Sequence, residues 1–147
     1  MAGFKLKVMN QNEFDSRIRK QGSSTEANVK RVINSIANNI RNIAVTSILQ
    51  NSRSGGQTTR YDPKRTINVS KAGDPPASDS GYLASQIVVK IDGNKLGADI
   101  ISNADYSEAL EYGTIKMGAR PFMQPAAEES RKKYEQQLTK AIKSGLK

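Results

Sequence analysis

Apolar side chains recur with two different periods along this chain. Phe4, Leu6 and Val8 alternate with Lys5 and Lys7, the period-two pattern of a half-buried strand. Gln11–Lys20 reads as a short helix that places Phe14 and Ile18, four residues apart, on one face. Gly22 breaks it, and Ser23 with Glu26 three residues later fits a capping box that opens a second helix. In that helix Val29, Ile33, Ile36, Ile40 and Ile43 are spaced four, three, four and three, and Ala44 and Ser47 extend the stripe. At 100° per residue these positions stay within about 60° of one direction, so they face a core. Lys30, Arg31, Asn34, Asn38 and Arg41 fall on the other side. Val45 and Leu49 also lie opposite the stripe, either as scattered surface hydrophobes or beneath a second cover supplied by another subunit.

From Asn51 to Ser80 the periodicity stops. Gly, Ser, Thr, Asn, Asp, Pro and basic residues dominate, with a weak strand signal only at Thr66–Val69. A stretch of about 30 residues without a pattern is long for a connection in a compact domain, so a functional or mobile loop is expected. Beyond it Ile87, Val89 and Ile91 alternate, Asp92-Gly93 supplies a two-residue turn, and Leu96–Ile101 runs back as the second arm of a hairpin. Asn103 is placed to cap a short helix from Asp105 to Tyr112 with Tyr106, Ala109 and Leu110 inward. Gly113 stands where the chain leaves that helix in a left-handed conformation. Met117–Pro121 is expected to be extended. The last helix starts near Pro125, with Ala126, Ser130, Tyr134, Leu138 and Ala141 on its apolar side and Glu128–Lys132 and Glu129–Lys133 paired outside. The sum is an α+β fold in a single domain over 1–147. A small, mainly antiparallel sheet carries the long amphipathic helix and the C-terminal helix on one face, and a long extended basic loop leaves it at about 51–80.

Composition narrows the chemistry. The chain has 147 residues, no Cys and no His. Disulfides, thiolate nucleophiles, Cys-ligated metals and imidazole acid–base catalysis are therefore excluded. Among the acidic residues of 61–120, Asp74, Asp79, Asp92, Asp99 and Asp105 are expected to be structural: Asp92 serves the turn and Asp105 a helix N-terminus. SRSGGQTTR lacks the GxxxxGK[ST] of a phosphate-binding loop, and Ser80 has no base to activate it. No catalytic, cofactor or metal site is expected, and no small-molecule substrate. No apolar run reaches the length of a membrane span, and the first residues lack the apolar core of a signal peptide, so no membrane partner is expected. Twenty-three Lys and Arg against fourteen Asp and Glu give a net charge of +9. Residues 1–60 contribute +7, residues 61–120 −1, and residues 121–147 +3. Arg53, Arg60, Lys64, Arg65 and Lys71 make the long loop a candidate for facing DNA, without reading its sequence, or an acidic partner.

Two stretches carry a resemblance. SKAGDPPASDSGYLASQI is similar to the segment S-x-P-G-x-P-P-A-x-D-T-G-x-L-x-x-S-I of tailed-phage neck and tail-completion proteins, the minor tail protein Z-like group. ADYSEALEYGTIKMGARPFMQPAAEE resembles the same family's Y-A-x-x-x-E-x-G-T … R-P-F-x-x-P-A signature. Together they span residues 70–129; Ala72, Ser80 and Tyr82 depart from the commoner Pro, Thr and basic residue. The resemblance implies a non-catalytic virion protein of the head–tail junction, assembled in the host cytoplasm. It would form a homo-oligomeric ring, hexameric or dodecameric, that joins the portal or connector to the tail and surrounds the DNA path. Other neck proteins, namely head-closure or connector and tail-terminator proteins, would be its partners. A tail terminator capping the tube and a non-specific basic DNA-binding protein are the alternatives. Within the motifs Gly81 and Gly113 are expected at backbone positions that a side chain would strain, and Leu83 and Phe122 in the core. Pro121 and Pro125 are expected to set the turn into the last helix. Val45, Leu49, Glu111, Tyr112 and Thr114 are the expected subunit-interface residues. Glu111, near a helix C-terminus where a carboxylate is unfavourable, is expected either to have a specific partner, such as a Lys or Arg of this or an adjacent subunit, or to stand solvated. Deleting Ser54–Lys71 is expected to leave the monomer folded.

Overall fold

The computed structural model describes residues 4–7, 22–50 and 54–145. The expected helix over Gln11–Lys20, Val8 of the first strand and Arg53 of the basic loop lie outside the described residues. The fold is α+β: strands β1 (Phe4–Lys7), β2 (Gln57–Tyr61), β3 (Lys64–Asn68), β4 (Ile87–Asp92) and β5 (Gly97–Ser102), and helices α1 (Ser23–Gln50), α2 (Tyr82–Ser85), α3 (Ser107–Tyr112) and α4 (Met123–Gly145). β1, β5 and β4 form an antiparallel sheet in that order, and β2 and β3 pair separately as a two-stranded ribbon.

α1 organises the core as its apolar period requires. Val29, Ile33, Ile36, Ala37, Ile40, Ala44 and Ile48 are buried on it, an arc of about 120°. Ile43 and Ser47, expected in the stripe, are only half-buried, and Ile48 closes it instead. Toward the sheet the stripe meets Ile87, Ala98 and Ile100, and Phe122 and Met123 complete the packing. Each of these large side chains contributes on the order of 1.5–3 kcal/mol by leaving water. α1 lies on β4 and β5 with one flank and on α4 with the other. Two basic residues expected on the solvent side reach back to the sheet: Arg41 Nε donates to the Ile87 carbonyl at 2.8 Å, and Lys30 Nζ to that of Gly93 at 3.2 Å. Their long apolar stems allow the charged ends to travel that far. Along α4, Ala126, Ser130, Leu138 and Ala141 are buried and Tyr134 half-buried, as the pattern requires. Asn39 Nδ2 donates to Ser130 Oγ across the two helices at 3.2 Å. Among the described residues the ion pair along α4 is Arg131–Glu135 at 3.2 Å, in place of Glu129–Lys133.

Several expected boundaries move. The β4–β5 connection takes four residues, Gly93–Leu96, and Asp92 Oδ1 accepts from the Asn94 amide at 3.0 Å to shape it. Asn103 caps nothing: its amide donates to the Gln86 carbonyl, and α3 begins two residues later than expected, with Ser107 Oγ bonded to the Ala104 carbonyl at 2.6 Å. Tyr106 points outward, because Ser107 and Glu111 are the residues α3 buries. The largest correction concerns the long loop. Residues 57–68 form a β-ribbon whose turn contains a cis Asp62-Pro63 bond, so the segment is built, not irregular.

Candidate interaction surface

The two motif stretches fold against each other. Glu111 lies in the last turn of α3, yet its carboxylate lies at the start of α4. Oε2 accepts from the amides of Phe122 (2.9 Å) and Met123 (3.0 Å), and Oε1 from Gln124 (2.8 Å). The next residue, Pro125, has no amide hydrogen, so one carboxylate and one proline account for the first-turn donors of α4. A negative charge there also sits at the positive end of the α4 dipole. Glu111 is buried, so it does not stand solvated, and the specific partner its position called for is the backbone of its own chain and not a Lys or Arg. α4 consequently begins at Met123, with Pro125 inside its first turn and Phe122 fully buried beneath it.

Backbone approach locks the same unit. Gly113 has φ +78°, and a Cβ there would stand 2.8 Å from the Ala119 nitrogen and 2.9 Å from the Met117 oxygen. The Gly73 amide donates to the Ala119 carbonyl at 2.7 Å, and a Cβ on Gly118 would meet the Ala72 Cβ at 2.6 Å. Arg120 Nε bonds the Ser70 hydroxyl at 3.1 Å, Nη2 bonds the Ser70 carbonyl at 3.2 Å, and the Arg120 amide donates to the Leu110 carbonyl at 2.6 Å. Gly81, at φ +77°, turns the chain into α2, and Leu83 is buried.

The ribbon is held to this unit by charge. Arg60 and Arg65 stand directly opposite each other across β2–β3, an unfavourable pairing alone. Asp79 resolves it. Its carboxylate accepts from Arg65 Nε at 3.1 Å and Nη2 at 2.6 Å, and from Arg60 Nη1. The hydrogen bond from Arg65, helped by the charge of Arg65 and then by Arg60, holds the Asp79 carboxyl below its ordinary value of 3.8, against a smaller effect of burial. Between ribbon and motif unit lies a groove of about 600 Å³, with Ile67, Leu83, Leu110 and Met117 in its walls and the Tyr82 and Tyr106 rings, 6.4 Å apart, at one side. Burial, reinforced by Tyr82, raises the Tyr106 phenol above its ordinary 10.0.

The expected site residues thus separate. Arg60 and Arg65 are committed to Asp79, whereas Lys64 and Lys71 are exposed and have no ion-pair partner among the described residues. Val45 is half-buried against its own chain's core, and Leu49 is exposed. Tyr112 and Thr114 are exposed beside a tight turn in which the Thr114 amide donates to the Met117 carbonyl at 2.8 Å. At its tip Ile115 is fully exposed (106%), a position that no periodicity marks. Asp79 and Arg120 were also missed as organisers, although each lies in a motif. Among the described residues no three His, Cys, Asp or Glu side chains gather to hold a metal ion. Comparison with family models, curated protein sequences and solved structures found no match.

Proposed function

We propose that this chain is a structural protein of the tailed-phage head–tail junction. In this role it assembles into a hexameric or dodecameric ring between the portal-associated proteins and the tail, and it works through surfaces instead of chemistry. The observation that carries the proposal is the interlocking of the two stretches that resemble the neck and tail-completion family. They form one unit around Glu111 and Arg120, and that unit offers solvent Tyr82, Tyr106, Tyr112 and Ile115. An isoleucine held fully exposed on a hydrogen-bonded turn gains about 1.5–3 kcal/mol when a neighbour covers it.

The proposal is tested on the protein and on particles. Light scattering of the purified chain should report a ring mass. Ile115→Asp with Tyr112→Asp should leave a folded monomer and weaken assembly at least about tenfold, the loss of one such buried contact. Particles that lack the protein but carry normally attached tails would overturn it.

A further inference from the structure

β4 stands at one edge of the three-stranded sheet, with no strand beyond it among the described residues. Ladder bonds in an antiparallel pair alternate, so every second residue aims its amide and carbonyl at the neighbour and the others aim theirs away. The Asn103 amide donates to the Gln86 carbonyl at 3.0 Å, one step beyond the Ile87–Ser102 pair. Val88, Lys90 and Asp92 share the parity of Gln86 and point at β5. Ile87, Val89 and Ile91 therefore turn their backbone polar groups out of the sheet. The strand reads IVVKID, rich in β-branched residues and free of proline, and Ile91 is 52% exposed on it. An edge of that composition is a template for a further strand.

Two side chains of α1 already occupy this edge. Arg41 Nε donates to the outward carbonyl of Ile87 and Lys30 Nζ to that of Gly93, at the two ends of the strand. Glu26 holds the Lys30 ammonium in place at 2.8 Å. Water would satisfy the exposed Gly93 carbonyl equally well, so satisfying it is not what calls for a lysine. The spacing of the two contacts is more informative. If two copies of β4 paired antiparallel about Lys90, Val89 would bond to Ile91 of its counterpart, and Ile87 would face Gly93. The two guarded carbonyls are thus the opposite ends of that one register. At its centre the exposed Lys90 would stand directly against its own copy, a destabilising pairing of like charges.

We propose that Arg41, Lys30 and Lys90 keep the β4 edge closed to a second copy of this chain. An incoming strand must first strip a guanidinium and an ammonium from carbonyls that its own amides would bond, and then bring two lysines together. The inference goes beyond the assembly role and does not depend on it, because pairing at this edge is read at the β4 amides whatever other surface associates.

The test is amide hydrogen exchange of the full chain, resolved by residue and repeated at rising protein concentration. In the wild type Val89 and Ile91 should exchange at least about tenfold faster than Val88 at every concentration. Arg41→Ala with Lys30→Ala and Lys90→Thr should slow Val89 and Ile91 by about tenfold or more as concentration rises, and dilution should reverse the change. Val88, whose amide points at β5, reports in the same spectra that the sheet is intact. Lys30→Ala with Lys90→Thr, which leaves Arg41 in place, should slow the same two amides by less, and it carries the test if the triple variant loses its sheet. Lys133→Ala with Lys140→Ala and Lys143→Ala removes the same charge from exposed positions of α4 and should leave both amides fast. Slow Val89 and Ile91 in the wild type, fast exchange at all concentrations in both edge variants, or equal slowing in the α4 variant would each overturn the inference.

Discussion

Glu111 stands in the last turn of one helix and caps the start of the next, and its three hydrogen bonds tie residues eleven to thirteen positions apart into one corner. Glu111→Ala leaves the buried Phe122 and Met123 amides without an acceptor, so a loss of about 2–4 kcal/mol is expected in urea unfolding. Glu111→Gln keeps one acceptor oxygen but loses the charge at the helix end and sets an amide donor against the remaining N–H, so a smaller loss of about 1–3 kcal/mol is expected. Equal losses for the two variants would show that packing, not hydrogen bonding, is what Glu111 supplies. The sequence exposes a carboxylate at an unfavourable helix end and thereby signals a partner. It does not reveal that the partner is backbone, because an amide donor carries no residue code.

At the scale of elements, legibility followed apolar periodicity. α1, α4 and β5 each bury an alternating or helical stripe, so their patterns show in the letters; in β4 only Ile87 is buried, and Ile91, expected in its stripe, is exposed. The ribbon has no such stripe. β2 is exposed at every position and β3 at three of five, so QTTRY and KRTIN read as loop. What holds it is Asp79, beyond the end of β3. Because that carboxyl is depressed below 3.8, its stabilisation of the ribbon is fully present above the ordinary value and lost as pH falls through the lowered one. Cross-strand NOEs between Thr58 and Ile67 should therefore persist at neutral pH and fade only below 3.8. In Asp79→Asn they should be weakened at every pH, since the amide keeps no charge opposite the two arginines.

The whole molecule is held by α1, with the sheet along one flank and α4 along the other. Its own chain thus covers both flanks, and among the described residues Leu49 is the large apolar side chain of α1 that stands exposed. The ribbon is peripheral to this arrangement, but its base is not. Ser70 is buried and bonded to Arg120, so a deletion of Ser54–Lys71 would cut into the motif unit. Gly56 and Val69 are already hydrogen-bonded at 3.0 Å, which marks the better boundary. Replacing residues 57–68 by two glycines should leave unfolding cooperative and cost less than about 2 kcal/mol, as for other surface changes. Loss of a cooperative transition would make the ribbon part of the fold's support.

The sequence by itself determined where apolar faces recur. That fixed the α+β class, the long helix, the central hairpin and the helix that follows Phe122, because burial of a periodic stripe is a local property of the letters. Tertiary structure alone decided what meets across sequence distance: Glu111 with the first turn of α4, Asp79 with both arginines of the ribbon, and Arg120 with Ser70. These contacts are polar, single and specific in geometry. Nothing in a one-dimensional pattern encodes them until the core has brought their ends together.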